Sequence, residues 1–372
     1  MKEIKAILKA YDHMDHTTTR AALATVVRVE GSSYRRTGAR MLVMDNGTWV
    51  GGISGGCLEG DALKRARLAI AKTTPSLITY DTTEDDAHQI GVGLGCNGII
   101  DVLLAPIFPD EKNNPMAILR RVITDHRQAN VLLTITQLEG EVNGLRAGHM
   151  IRSSEMDETL SADFPELVPA LPDAVEDVLQ NSRSATLSFL LSDGREIRFF
   201  AEFLPPELHV VLMGHQYDVY PLVRVLHEAG WRITLVANPQ KIHREVAQLA
   251  QEIIAPEIFD PSILDSYTAV ILMSHDYKTD KRHFPLVLAS QTRYLGMLGP
   301  RVRAEKIFRE VTEEGTLIKE QDMERIFAPV GLDIGAVTPE EIALSIAAEI
   351  RAVFSARQGR FLRQRPSTIH ER

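Results

Sequence analysis

The sequence predicts an α/β protein: a small mixed α/β N-terminal domain followed by a Rossmann-like, doubly wound C-terminal domain. Three observations carry this expectation. From Leu208 onward, short apolar runs alternate with helix-patterned segments, the order that builds a parallel sheet covered by helices. Before Pro109, β-rich runs are separated by glycine-rich loops. Between these parts lie one helix pattern and several strand-like runs with little evident chemistry.

The elements follow in order. Met1 to Leu8 has the spacing of an amphipathic helix, without the apolar core or cleavage site of a secretory leader. Ala22–Val29 is a strand, Gly31–Ala39 a loop and Arg40–Met44 a second strand. Asp45-Asn46-Gly47 is a hairpin turn, and Trp49-Val50-Gly51 leads into a glycine cluster. A helix is expected from Leu58, then strands at Leu77–Tyr80 and Ile99–Leu104. In the middle segment, Met116–His126 reads as a helix, with strands at Val131–Thr136 and Ala185–Leu191. The acidic, proline-containing run from Glu155 to Pro172 reads as a solvated connection. In the last part, strands are expected at His209–Met213, Arg232–Ala237, Ile253-Ile254, Ala269–Met273 and Arg293–Leu298. A turn over Gly214–Pro221 and a helix over Leu222–Ala229, stopped by Gly230, follow the first of them. The domain boundaries are therefore 1–109, 110–206 and 207–357, with a basic tail over 358–372 expected to lack regular structure.

Composition narrows the function classes. A chain of 372 residues is long enough for two or three domains. The net charge of -9 argues against a nucleic-acid partner. No apolar run approaches the roughly 18 residues that a membrane helix needs, so a cytoplasmic protein with no membrane contact is expected. The only cysteines are Cys57 and Cys96, too few for a disulfide framework. Both stand beside glycine, in loops where sulfur can meet a ligand.

Three loops carry the candidate chemistry. In Gly51-Gly52-Ile53-Ser54-Gly55-Gly56-Cys57-Leu58-Glu59, the small residues leave backbone N–H groups open to an anion, and the following helix adds its positive end. Cys57 stands where that helix begins, an environment that favours thiolate. A plain glycine turn with a buried cysteine fits the same residues, and the sequence leaves both open. Ser32, Ser33, Arg35, Arg36 and Arg40 supply hydroxyl and guanidinium donors suited to phosphate, or else form a solvated basic loop. Gly91 to Gly98, containing Gly95 and Cys96, is either a close ligand approach or a tight entry into the next strand.

In the C-terminal domain, Gly214-His215-Gln216-Tyr217 occupies the usual dinucleotide-binding position without the G-x-G-x-x-G pattern, and Ala237-Asn238 offers no acid for a ribose hydroxyl. NAD(P) binding is therefore not expected. His275, in Ser274-His275-Asp276, follows a strand at the sheet end where such folds place ligands; it serves as a proton carrier, a recognition group or a structural helix cap. The histidines show no metal-ligand spacing, and no catalytic triad order is evident.

At these residues the chain resembles the xanthine dehydrogenase accessory factor family (XdhC/CoxI). The resemblance rests on Gly31–Met41, Gly52–Glu59 and Gly95-Cys96-Asn97-Gly98 near the N-terminus. It continues in Ser274-His275-Asp276, Tyr294–Arg301 and Pro329–Ala343. It implies a chaperone that binds and protects the molybdenum cofactor (molybdopterin), presents it for sulfuration by a cysteine desulfurase, and delivers it to a xanthine dehydrogenase-type molybdenum enzyme. A homodimer is implied as well. Carried onto this chain, Cys57 and Cys96 become candidates to touch molybdenum or its dithiolene. Ser33, Arg35, Arg36, Arg40, Gly52, Ser54, Gly55, Gly56, Glu59 and Gly95 become candidates to bind the cofactor in the surrounding loops, together with His275. Three departures stand out: Gln216 in place of a second glycine, Asn97 in place of a glycine, and Tyr34 in place of a frequent proline. The competing readings are a nicotinamide-dependent oxidoreductase built on the C-terminal domain and an assembly factor that acts without cofactor.

Overall fold

The structure, a computed structural model, describes the chain apart from residues 83–97, 126, 141, 143, 161–163, 168 and 367–372. Its contacts divide it into two units, Met1–Pro206 and Glu207–Arg372.

In the first unit, β1 (Ala21–Gly31), β2 (Arg40–Met44), β3 (Trp49–Gly51), β4 (Ser76–Asp81) and β5 (Gly98–Pro106) form an antiparallel sheet in the order β3-β2-β1-β5-β4. The Asn46-Gly47 turn works as expected: Gly47 takes φ +91, and its amide reaches the Met44 carbonyl at 3.0 Å. Side-chain alternation sorts the two faces of this sheet. Ala22, Ala24 and Val26 pack beneath α2 (Glu59–Lys72), whose Ala62, Ala66, Ala69 and Ile70 point inward. Ala21, Leu23 and Leu42 face α1 (Lys2–Asp12) and α3 (Pro115–Thr124). The burial of Ile4, Ile7, Leu8 and Tyr11 in α1 follows the three-and-four spacing read from the sequence.

A second antiparallel sheet joins this core, built from β6 (Asn130–Gln137), β7 (Met150–Arg152), β8 (Ala185–Leu190) and β9 (Glu196–Leu204) in the order β7-β6-β9-β8. Leu132, Met150 and Leu204 share the cluster of α1 and α3. The run from Glu155 to Pro172 corrects the expectation of a solvated connection. It contains the short helix α4 (Met156–Leu160) and the start of α5 (Leu171–Asn181). Leu160, Phe164, Leu167 and Leu171 are each at most 2% exposed, in the core beneath β6 and β9. These four apolar residues recur at helical spacing inside an acidic, proline-bearing stretch, and their burial outweighs the local polarity.

The two sheets are also tied by charge. Arg40, at the start of β2, is fully buried and makes a two-pronged ion pair with Glu202 of β9. Its Nη1 donates to Oε1 at 3.1 Å and also to the Gly38 carbonyl at 2.8 Å. Gly38, at φ +86, is required here, because a Cβ would collide with the Glu202 carboxylate.

The second unit is a six-stranded, wholly parallel sheet: β10 (His209–Met213), β11 (Arg232–Val236), β12 (Glu252–Ile254), β13 (Thr268–Leu272), β14 (Tyr294–Met297) and β15 (Ile326–Phe327). The order β12-β11-β10-β13-β14-β15 is that of a doubly wound dinucleotide-binding fold, with its switch point between β10 and β13. The β10 run is buried throughout because both faces are covered, and it is apolar from Val210 to Met213. Val210 and Leu212 meet α6 (Val219–Ala229) and α11 (Pro339–Phe354). Val211 and Met213 meet α8 (Tyr277–Leu288) and α9 (Arg301–Glu313). The connections include α7 (Arg244–Ala247) and α10 (Glu320–Met323). The start of α6 lies at Val219 rather than after Pro221, since proline is tolerated in a first helical turn, where its missing N–H goes unused. Gly230 ends the helix in the left-handed region, as expected. In the basic tail a short helical turn forms over Leu362–Gln364.

The buried pair makes the first testable statement. Glu202→Gln leaves Arg40 charged and buried without its counter-ion. Urea denaturation is expected to show a loss of about 3–5 kcal/mol, whereas Arg40→Met combined with Glu202→Leu loses less than either single change.

Candidate functional site

The glycine loop of the first unit accounts for most of its own hydrogen bonds. The Glu59 carboxylate, at the first residue of α2, turns back over the loop. It accepts the Ser54 amide at 2.8 Å, the Ile53 amide at 3.2 Å and the Ser54 hydroxyl. Ser54 Oγ in turn accepts the Leu58 amide at 3.0 Å and the Gly56 amide at 3.2 Å. The Gly52 amide reaches the Arg40 carbonyl at 2.9 Å. Two backbone donors remain: the amides of Gly55 and Cys57 have no acceptor among the described residues. The loop therefore holds an anion of its own, the Glu59 carboxylate, and keeps two N–H groups open beside the start of α2.

Burial on its own would raise the Glu59 carboxyl. The Ser54 hydroxyl and the amides of Ser54, Glu59 and Ile53 outweigh it and hold the group below its ordinary value. Cys57 is partly buried against the α2 core, and its sulfur lies 3.4 Å from Ser54 Oγ.

The preceding loop comes against this one. The Tyr34 ring rests on Gly55, where a Cβ would stand 3.2 Å from the ring, and Tyr34 is 75% exposed. Gly51 packs on the Arg40 carbonyl, with no room for a Cβ. The structure thus joins Ser54, Gly55, Gly56, Cys57 and Glu59 to the Gly31–Ala39 loop and distributes the arginines differently than expected. Arg40 belongs to the scaffold, its guanidinium committed to Glu202, so it does not serve as a phosphate ligand. Arg35 is paired with Glu3 of α1, which also accepts the Arg40 amide at 2.7 Å. The two pairs differ in how easily they part. A half-exposed pair such as Arg35–Glu3 is worth about 1 kcal/mol or less, whereas parting a buried one costs several-fold more. The Arg35–Glu3 pair is therefore the weaker of the two. Arg36 is partly buried, and Ser33 is partly buried with its hydroxyl unpartnered among the described residues. Gly95 and Cys96 lie outside the described residues. The segment that contains them leaves at Thr82 and returns at Gly98, whose amide donates to Thr82 Oγ1 at 3.1 Å. Gly98 packs against Glu30 and Ser32, with no room for a Cβ.

In the second unit, His275 sits at the switch point in the left-handed region, φ +59. Its Nε2 lies 2.6 Å from Asp218 Oδ2, and helix α8 is capped by Asp276 instead, which accepts the Thr279 amide at 2.8 Å. Asp218 is the N-cap of α6. Its other carboxylate oxygen is buried with no partner among the described residues. Ser274 Oγ donates to the fully buried Asp280 at 2.6 Å, and Asp280 pairs with Arg303 at 2.8 Å. Gly214 packs directly on the Met273 carbonyl, which a Cβ would strike. Glu3, Glu202 and Asp218 form the partner set that sequence reasoning missed. Each is far in sequence from the residue it holds, and no local pattern announces the pairing.

Among the described residues no cluster of His, Cys, Asp or Glu is arranged to hold a metal, and no helix is long and apolar enough to cross a membrane. Together the fold and loops define a protein with a glycine- and cysteine-bearing antiparallel unit and a Rossmann unit. Residues 16–81 match the model of the XdhC and CoxI family, and residues 210–350 match the XdhC Rossmann domain. The chain belongs to the XdhC/CoxI family. It is 27% identical over 336 residues to a Bacillus subtilis protein described as a probable subunit of xanthine dehydrogenase, covering 89% of this chain and 92% of that one. It is 30% identical over 122 residues to the Escherichia coli protein YqeB, covering 29% of this chain and 22% of that one. A solved structure described as a xanthine dehydrogenase from Bacillus halodurans superposes with a TM-score of 0.68 at 24% identity, covering 96% of this chain and 97% of that one, which supports the fold.

The pH dependence of the loop follows from Glu59. A lowered carboxyl contributes stability that is complete above the ordinary value of 4.5 and is lost as pH falls through the lowered value. Unfolding followed from about pH 5 to about pH 3 is expected to show a shallower loss in Glu59→Gln than in the parent protein; equal slopes would remove Glu59 from this role.

Proposed function

We propose that the chain is an accessory protein for a xanthine dehydrogenase-type molybdenum enzyme, and that its first unit holds the molybdenum cofactor through the Ser54–Cys57 loop. In this reading it protects the cofactor, presents it for sulfuration by a cysteine desulfurase and passes it on. Membership of the family and the names carried by its relatives support the link to xanthine dehydrogenase. One observation supports the site itself. The Gly55 and Cys57 amides have no acceptor among the described residues, they stand at a helix start, and one of them belongs to the residue whose thiol is half-buried beside the loop.

This donor set fits an anionic, sulfur-bearing group. Two open N–H groups and a helix N-terminus suit a phosphate or a dithiolene, and a thiol suits molybdenum. Gly55 and Cys57 would hold it through their amides, with the Cys57 sulfur as metal contact and the Ser33 hydroxyl as a further donor. Arg35 would be recruited from Glu3. Glu59 positions the loop and leaves those two amides free. When bound, the cofactor supplies molybdenum–sulfur chemistry to its eventual enzyme; this chain binds, orients and shields it.

The second unit is read as a scaffold without a dinucleotide. Gln216 stands where the second glycine of the fingerprint would allow the pyrophosphate to approach. Asp218 places a carboxylate at the start of α6, the position that a pyrophosphate occupies in such folds, and like charges repel there. The Asp218 carboxylate is held there by His275, at 2.6 Å.

Two measurements test these readings. Protein co-produced with cofactor biosynthesis is expected to retain pterin and molybdenum, and Cys57→Ala to retain clearly less of both; unchanged retention sinks the cysteine assignment. Calorimetric titration with NAD and NADP is expected to give no saturable heat, and clear binding of either would restore the oxidoreductase reading.

A further inference from the structure

A pocket of about 590 Å³ opens on the outer side of α2 in the first unit. Lys64, Arg67, Leu68 and Ala71 line it from one face of the helix, at a spacing that puts them in a row, and all four are exposed. Arg20, just before β1, Asp45, after β2, and Ile70 of α2 complete the wall. The side chains of Arg20, Lys64 and Arg67 make no ion pair or hydrogen bond among the described residues. The nearest acid in helical register is Asp61, and it is already bound by Arg65 at 2.5 Å and Tyr80 at 2.9 Å. Three cations face a single carboxylate, Asp45, round one concavity, so the lining is net positive in a chain of net charge -9. The helix dipole does not account for them. Lys72 alone occupies the last turn, and the dipole's influence fades beyond that turn.

We propose that this pocket is a binding site for an organic phosphate that carries hydroxyl groups, a sugar phosphate or a nucleotide. The volume lies within the range of small-molecule sites. Two guanidinium forks and an ammonium match the charge and geometry of a phosphate better than those of a single carboxylate. Asp45 would repel a bare anion, but it suits a hydroxyl donor. One of its oxygens accepts the Arg20 amide at 3.1 Å, and the other has no partner among the described residues. Leu68, which is 53% exposed, and Ala71 offer an apolar wall for the carbon skeleton. This site is independent of the cofactor reading and of the Cys57 loop.

Calorimetry on the full chain at low salt tests it with four probes: ribose 5-phosphate, ATP, inorganic phosphate and a hexaglutamate peptide. Ribose 5-phosphate or ATP is expected to bind more tightly than inorganic phosphate, and the stronger of the two identifies the source. Lys64→Ala and Arg67→Ala should each weaken that binding about tenfold, and Lys64→Glu with Arg67→Glu should abolish it. Asp45→Asn should weaken the organic phosphate while tightening inorganic phosphate, which the Asp45 carboxylate repels. These positions lie at the surface, so circular dichroism and thermal melts are expected to match the parent. The proposal is overturned if neither organic phosphate saturates, or if the variants bind as the parent does. Inorganic phosphate binding as tightly as the organic probes also overturns it. So does hexaglutamate binding where the phosphates do not, which would mark a docking patch for an acidic protein.

Discussion

The arrangement of the first unit depends on the buried ion pair between Arg40 and Glu202. A guanidinium and a carboxylate withdrawn from water are tolerable only when each satisfies the other, so their positions are tightly determined. Arg40 opens β2 and Glu202 lies in β9, so meeting this condition sets the glycine-loop sheet against the middle sheet. Gly38 must lack a side chain to let the carboxylate in, and the Arg40 carbonyl receives the Gly52 amide at the mouth of the glycine loop. A residue that reads as a phosphate ligand thus serves as the anchor on which the candidate site is built.

Above that anchor, the loop is governed by hydrogen-bond accounting. A run of small residues exposes many N–H groups, and each must find an acceptor or remain open to ligand and solvent. Glu59 and Ser54 satisfy four of them, so the loop keeps its shape without a bound anion. What stays open is narrow: two amides and a neighbouring thiol. In the second unit, Asp218 and His275 pair with each other at the switch point of the parallel sheet.

The fold was largely legible because its signals are local. The apolar run Val210–Met213, the turn at Asn46-Gly47 and the stop at Gly230 each carry their cause within a few residues. The segment from Glu155 to Pro172 misled because acidic residues and prolines dominate its composition, while four apolar side chains at helical spacing decide its burial. The candidate site was legible in part. The Gly51–Glu59 run announced a loop, a helix start and a thiol, and the structure joins it to the Tyr34 loop through the contact at Gly55.

By itself the sequence determined the alternation of strands and helices, the positions of the glycine turns, and the family to which the chain belongs. These depend on backbone preference and side-chain periodicity, which act over a few residues. Only the tertiary structure decided which charges are free. Arg40, Arg35 and His275 look alike in the sequence as exposed functional candidates, yet Glu202, Glu3 and Asp218 claim them, at sequence separations of 162, 32 and 57 residues. How available a charge is to a ligand depends on how firmly a neighbour in space already holds it, and proximity in space is what the order of residues leaves open.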